Sequence, residues 1–321
     1  MIHNTIRVIF FGSSAYCLPV IKSLETHFQL SALITKYASP IADLAKTKKI
    51  TLFTPLNKQA LLPLKEEIGK IRPDLALVAD YGLIIPADIF SLPRHGTLNI
   101  HFSKLPEFRG ASPVQYTILS GADSAWITFQ KISEKIDTGE VIYQQKIPLQ
   151  GREKTGELYA TLFEKAAEIL PEIINSFISN DIKLQKQDES KATSTKILQR
   201  DDGFIPWSLF LASLSGKKAD QSSFAANSAV SYALTQASSL AEALERSVRA
   251  LHPWPGVWTE ITLTTGKKRL KIIEGELKDG RFNPITVQLE GKKPVSWKQF
   301  LAGYLESLPS TSSMALKSSL K

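Results

Sequence analysis

The sequence is poor in the residues that staple or metallate small proteins: among 321 residues there is one cysteine, Cys17, and five histidines. A single thiol excludes an intramolecular disulfide and a four-cysteine zinc site, which points to a reducing compartment. His3, His27, His95, His101 and His252 show no metal-ligand spacing with carboxylates or with the thiol, so no metal is expected. No apolar run approaches the ~18 residues of a membrane span, and the start of the chain leads directly into a strand-like stretch instead of a charged-then-apolar leader. A soluble, cytoplasmic protein without a membrane partner is expected. The turn Gly12-Ser13-Ser14-Ala15 lacks the second and third glycines of a dinucleotide fingerprint, and no Gly-Lys-Ser/Thr phosphate loop occurs. Both absences disfavour a nicotinamide enzyme or a nucleoside triphosphatase.

What is present is an ordinary folding mixture, 43% hydrophobic and 22% charged, in a chain long enough for two domains. Lysine and arginine exceed aspartate and glutamate by 39 to 31, a net +8. The excess is shared, with 24 basic against 20 acidic residues in 1–200 and 15 against 11 in 201–321. Nine basic and four acidic side chains fall between Lys267 and Lys298, densest at Lys267-Lys268-Arg269-Leu270-Lys271. That stretch is a candidate polyanion face, with a solvated strand pair as the competing reading.

Apolar runs at 6–11, 30–35, 50–53 and 75–78 alternate with helical spacing at 18–24 and 58–70, which predicts parallel strands buried by helices. Gly96–His101 continues as a strand, and Ser112-Pro113 supplies an N-cap and a first-turn proline for a helix over 113–120. Strands at 127–131 and 141–148 follow without an intervening helix, then a long helix over 155–178, kinked or split at Pro171. The polar stretch 181–200 suits a linker, and short apolar runs at 257–263, 270–273 and 285–289 suit a small antiparallel barrel. The expected division is therefore a first domain over 1–180, a linker over 181–200, a second domain over 201–306 and a disordered tail over 307–321. A Ser/Ala-rich insertion occupies 209–239.

On a strand, residues two apart share a face, so Asn99 and His101 project together at the carboxyl end of 96–101. Open α/β sheets place their ligands at that end. Such a pair also suits plain bonding to loop backbone. A Leu105-Pro106-Glu107-Phe108-Arg109-Gly110 loop follows, and 36 residues past His101 comes Asp137-Thr138-Gly139, between two strands. Asp137 alone suits a turn as well as it suits catalysis.

Taken together, Asn99 with His101, Ser103-Lys104-Leu105-Pro106, Phe108 to Gln115 and Asp137-Thr138-Gly139 resemble the active site of the folate-dependent formyltransferases. Tyr81-Gly82-Leu83-Ile84-Ile85-Pro86 resembles that family's folate-lining segment. Asp202 to Trp207 and Arg249 to Gly256 look like the two C-terminal signatures of its methionyl-tRNA formyltransferase branch. The resemblance covers nearly the whole chain apart from the insertion and the tail. It implies an α/β, Rossmann-like formyltransferase domain followed by a smaller OB-like β-barrel, and it implies 10-formyltetrahydrofolate as donor and initiator methionyl-tRNA as acceptor. By the same resemblance Asn99, His101 and Asp137 are the catalytic set, and Ser103, Lys104, Leu105, Pro106, Tyr81, Gly82, Leu83 and Ile84 meet the folate. Lys46, Lys48, Lys49, Lys267, Lys268, Arg269 and Lys271 are the candidates for tRNA phosphates. A monomer is expected. The sequence departs from the family in a short loop after residue 35, in Ser133-Glu134-Lys135 where the family is more acidic, and in the insertion. Competing readings are a formyltransferase for a nucleotide-linked amino sugar, whose activity would be indifferent to Lys267–Lys271, a binding module without turnover, and a formyl-folate hydrolase.

Overall fold

In the computed structural model, which describes residues 6–216, 228–264 and 266–319, the chain divides into two compact units. The first takes the chain up to Pro113, then Ser124–Pro148 and Leu158–Lys196; the second takes Val114–Asp123, Leu149–Glu157 and the chain from Ile197 on.

The first unit is built on one sheet. Strands β1 (Arg7–Phe11), β2 (Gln29–Ile34), β3 (Thr51–Phe53), β4 (Leu75–Val78) and β5 (Thr97–His101) run parallel in the order β3-β2-β1-β4-β5, and β7 (Ser124–Lys131) and β8 (Val141–Pro148) extend it antiparallel. β4 is wholly apolar and buried because both faces of a parallel sheet are covered. The intervening helices are α1 (Leu18–His27), α2 (Pro40–Lys48), α3 (Lys65–Ile71) and α4 (Ala87–Phe90). Ser39 caps α2 by accepting from Ala42 N at 3.1 Å, with Pro40 in the first turn. The helix expected over 58–70 is split: Gln59–Leu64 is a tight 3-10 stretch carrying Pro63, and α3 begins only at Lys65. Strand order reverses direction of travel between β1 and β4, so the loops after β1, β4 and β5 gather at one edge.

Helix α5 (Pro113–Ser120) falls in the second unit from Val114 on, and α6 (Thr155–Ile178) runs unbroken through Pro171, with no split. The stretch expected to be a linker is instead folded onto the first unit as far as Lys196. There β9 (Ser194–Thr195) pairs in parallel with β6 (Arg109–Gly110), and Val141 and Gln185 exchange backbone hydrogen bonds of 2.8 and 2.9 Å.

The second unit carries α7 (Trp207–Ser215), α8 (Ala229–Gln236), α9 (Leu240–Ala250), the antiparallel sheet β10 (Val257–Leu263), β11 (Gly266–Lys278), β12 (Arg281–Leu289) and β13 (Val295–Ser296), then α10 (Trp297–Tyr304) and α11 (Ser310–Ser319). This is the small β domain expected, seen as a four-stranded sheet in sequential order. The ends of the Ser/Ala-rich stretch are helical, with Leu209, Phe210 and Leu214 buried on α7 and Ser228 capping α8; residues 217–227 lie outside the described residues. The tail expected to be disordered forms α11, where Leu316 is buried and Ser312 Oγ accepts from Trp207 Nε1 at 3.0 Å.

The two C-terminal signatures are packing motifs. A Cβ on Gly203 would stand 1.9 Å from the Gly256 carbonyl oxygen, so the backbones touch there and only glycine fits. Ile205 N donates to Trp258 O at 2.9 Å, and the buried Asp202 carboxylate accepts from Gln199 N at 2.7 Å and from Ala229 N at 3.1 Å.

Candidate active site

β5 ends at His101 beside β4 on one flank and β7 on the other, with Val78 opposite Asn99 and Thr128 opposite His101. The β7–β8 connection carries Asp137, whose backbone adopts a left-handed φ of 53° that turns its side chain back onto β5. Asp137 thereby meets Asn99 and His101, 38 and 36 positions earlier in the sequence, within the first unit. Asp137 Oδ1 accepts from Gln130 Nε2 at 2.8 Å and Asn99 Nδ2 at 3.3 Å; Oδ2 accepts from Gly110 N at 2.8 Å and lies 3.5 Å from His101 Nδ1. The side chains of His101 and Asp137 are only 7% and 10% exposed, so the pair acts in a poorly solvated setting where its electrostatics are strong.

His101 Nε2 lies 2.9 Å from the Phe108 carbonyl oxygen. A carbonyl can only accept, so Nε2 carries a hydrogen. The Asp137 carboxylate faces the other ring nitrogen, so both nitrogens of the ring have a polar neighbour.

A second ring of contacts holds this set. Gln187 Nε2 donates to the carbonyls of Asp137 and Gly139, each at 2.8 Å, while its Oε1 accepts from Arg109 Nη2 at 2.7 Å and Nε at 3.1 Å. Buried Arg109 also grips Glu189 bidentately, Nη2 to Oε1 at 2.7 Å and Nη1 to Oε2 at 2.9 Å. That hydrogen bonding holds the Glu189 carboxyl below its usual range. Thr193 bonds the same loop, accepting from Phe108 N at 2.8 Å through Oγ1 and from Arg109 N at 2.9 Å through its carbonyl. A Cβ on Gly139 would lie 1.7 Å from the Lys131 carbonyl oxygen, which explains the glycine after Asp137-Thr138.

Sequence reasoning missed Gln130, Gln187, Glu189 and Thr193. Gln130 had a signal, an amide that strand parity places on the same face as Thr128, opposite the apolar Ile127 and Phe129. Gln187, Glu189 and Thr193 had none, because a polar stretch with distant partners reads like any linker.

The residues expected around a folate divide into two groups. Ser103 and Leu105 are buried, and their carbonyls are taken by Thr128 Oγ1 at 2.5 Å and Gln144 Nε2 at 3.0 Å, while Ser103 Oγ donates to Glu107 O at 2.6 Å. Pro106 accepts from Thr193 N at 3.2 Å through its carbonyl, and Lys104 leans over the Trp126 ring at 5.1 Å. The Tyr81 ring belongs to the core, edge-on to Phe11, and burial pushes its hydroxyl well above the usual phenol range. Only its backbone is available to a site, with its carbonyl already accepting from Ser13 Oγ at 3.0 Å. Beyond it, Gly82, Leu83 and Ile84 make no main-chain hydrogen bond among the described residues, and Ile84 is 55% exposed. Unpaired peptide groups beside an exposed apolar side chain fit a flat, hydrogen-bonding heterocycle.

Of the candidate phosphate contacts in the first unit, Lys48 pairs with Glu25 at 2.5 Å, Lys46 stands 3.9 Å from Asp43, and Lys49 caps α2. In the second unit Lys267 pairs with Glu260 at 2.8 Å, the Arg269 guanidinium lies 4.6 Å over the Trp258 ring, Lys271 Nζ donates to Pro253 O at 3.2 Å, and Lys268 lies between them on β11. Among the described residues no group of three or more His, Cys, Asp or Glu is arranged to hold a metal, and no helix is long and apolar enough to cross a membrane.

The Asn99–His101–Asp137 cluster thus lies at the carboxyl edge of an open α/β sheet, and comparison with known proteins identifies the family. Residues 31–174 match the family described as formyl transferase, and 236–284 match the formyl transferase C-terminal domain. The chain is 31% identical over 269 residues to the methionyl-tRNA formyltransferase of Roseiflexus sp. (strain RS-1), covering 79% of this chain and 73% of that one. It is 27% identical to the enzyme of the same name from Listeria innocua, over 95% and 98% of the two chains. The solved methionyl-tRNA formyltransferase from Clostridium thermocellum shares the fold, with a TM-score of 0.55 at 19% identity over 91% of this chain and 99% of that one. The chain belongs to the methionyl-tRNA formyltransferase family.

Proposed function

We propose that the protein transfers the formyl group of 10-formyltetrahydrofolate to the α-amino group of methionine esterified to initiator tRNA, for translation initiation in the cytoplasm. The observation that carries this reading is the convergence of Asn99, His101 and Asp137 at one sheet edge. The amine attacks in its neutral form to give a tetrahedral centre, which collapses by breaking the bond from the formyl carbon to the folate nitrogen, that nitrogen taking up the proton the amine loses. Negative charge gathers on the formyl oxygen in between. One Asn99 amide hydrogen is engaged by Asp137, and the other serves that oxygen. His101 supplies the second donor, its Nε2 hydrogen passing from the Phe108 carbonyl to the oxyanion. Asp137 orients the imidazole and takes part in moving the amine's proton. The free peptide groups of Gly82–Ile84 and the Ser103–Pro106 loop form the folate side. The basic residues of α2 and β11 serve the tRNA phosphates, and the protein acts as a monomer.

The test is direct. Purified protein, formyl-folate and methionyl initiator tRNA yield formylmethionyl-tRNA on this reading, and a nucleotide-linked amino sugar in place of the tRNA yields no formylated product. Formylation of the sugar with the tRNA left unmodified would overturn it.

A further inference from the structure

Two tryptophans stand at the entry to β10, and the second unit uses them differently. Trp258 is spent internally: Nε1 donates to Arg200 O at 3.0 Å, its ring lies 4.7 Å from Phe204, and Arg269 covers it. Trp254 is 59% exposed and makes no ring contact or hydrogen bond among the described residues. Leaving an indole that large in water forgoes a burial worth as much as any in the core.

Its surroundings are cationic. Across the β10–β11 ladder Trp258 faces Lys271, Glu260 faces Arg269 and Thr262 faces Lys267, so the three basic side chains leave one face of β11, neighbours roughly 6.6 Å apart. Lys271 reaches back to the carbonyl of Pro253, the residue before Trp254. Glu260 answers Lys267, whereas Lys271 and Arg269 have no carboxylate within ion-pair distance among the described residues. The guanidinium of Arg269, flat on Trp258, keeps an outer face for an anion. Cations alone would suit any phosphate backbone; an exposed aromatic face beside uncompensated cations is what an unpaired, stackable base requires.

We infer that Trp254 is a stacking platform for an unpaired nucleotide of the RNA substrate, with Lys271 and Arg269 holding the phosphates on either side of it. This rests on the tRNA reading above and adds to it a residue and a mode of contact.

The experiment measures affinity of the full chain for uncharged initiator tRNA by fluorescence anisotropy, between about 50 and 300 mM salt, for the unmodified protein, Trp254→Ala, Trp254→Phe and Lys271→Ala, with thermal melts of each. Trp254→Ala weakens binding roughly 5- to 100-fold at every salt concentration without changing the salt slope, and Trp254→Phe restores most of it. Lys271→Ala instead flattens the slope by about 0.7–1. Unchanged affinity in Trp254→Ala would overturn the inference, as would a loss that phenylalanine does not restore or that tracks a lowered melting temperature. If the unmodified chain binds and formylates the tRNA while Trp254→Ala binds equally well, only this inference falls; if it binds no tRNA, both readings fall.

Discussion

Asp137 receives hydrogen bonds from Gly110 N, Gln130 and Asn99, three donors on two oxygens, and faces the His101 ring. Asp137→Asn keeps the shape but turns one acceptor into an NH2 group, so donors on that side lose their partner, at about 1–3 kcal/mol for each buried group left unpaired. The expected result is a fall in kcat of roughly 10²–10³ with tRNA affinity retained, measured by single-turnover formylation beside a binding titration. The lone thiol behaves oppositely. Burial, followed by the charge of Asp80, pushes Cys17 up to about 12, and its Sγ donates to Ala79 O at 3.3 Å. An alkylating reagent at neutral pH is expected to leave Cys17 intact in the folded chain and to label it only in denaturant; rapid labelling without denaturant would contradict that placement.

At the scale of elements, the site depends on a strap that crosses from Gln185 to Thr195 and ties the Arg109 loop to the Asp137 turn. Gln187→Ala removes the Gln187 side-chain bonds to the Asp137 turn and to Arg109, while leaving Asn99, His101 and Asp137 in place and Arg109 still held by Glu189. It is expected to lower kcat roughly 10- to 100-fold through loosened geometry, with Gln187→Asn restoring little because its shorter amide cannot span the two loops. Gly139→Ala drives a methyl into the Lys131 carbonyl and is expected to do comparable damage together with a lower melting temperature. The strands around this strap were legible in the sequence because buried parallel strands are unbroken apolar runs, as Leu75–Val78 is, and Asn99 with His101 was legible through strand parity. The strap was not: a linker and a strap have the same composition, and what separates them is a set of bonds to residues 44 to 87 positions away. The helix at Ser310–Ser319 was hidden likewise, since its Ser-rich sequence carries a weak apolar stripe and tertiary contact at Trp207 and Leu316 decides it.

At the scale of the whole molecule, the proposed catalytic residues all lie in the first unit, and the second is held by contacts between its own signature segments. Gly203→Ala would force a Cβ against a carbonyl that has no room to retreat, and a destabilisation of about 1–3 kcal/mol is expected by denaturant unfolding. His252, in the second signature, is held below the ordinary imidazole range by burial, then by Lys154 and Lys271. The folded state therefore resists its protonation. The second unit is expected to keep full stability above the imidazole's ordinary range and to lose some as pH falls through the lowered value. His252→Gln removes that dependence in melts recorded from pH 8 down to about pH 5.

The most direct measurement is single-turnover formylation of methionyl initiator tRNA by the unmodified chain, Asn99→Ala and His101→Ala, with donor and tRNA both saturating. The account predicts formylmethionyl-tRNA from the unmodified chain and rates lower by roughly 10²–10³ in each variant, at little cost in folate affinity. Turnover in both variants close to that of the unmodified chain would contradict it.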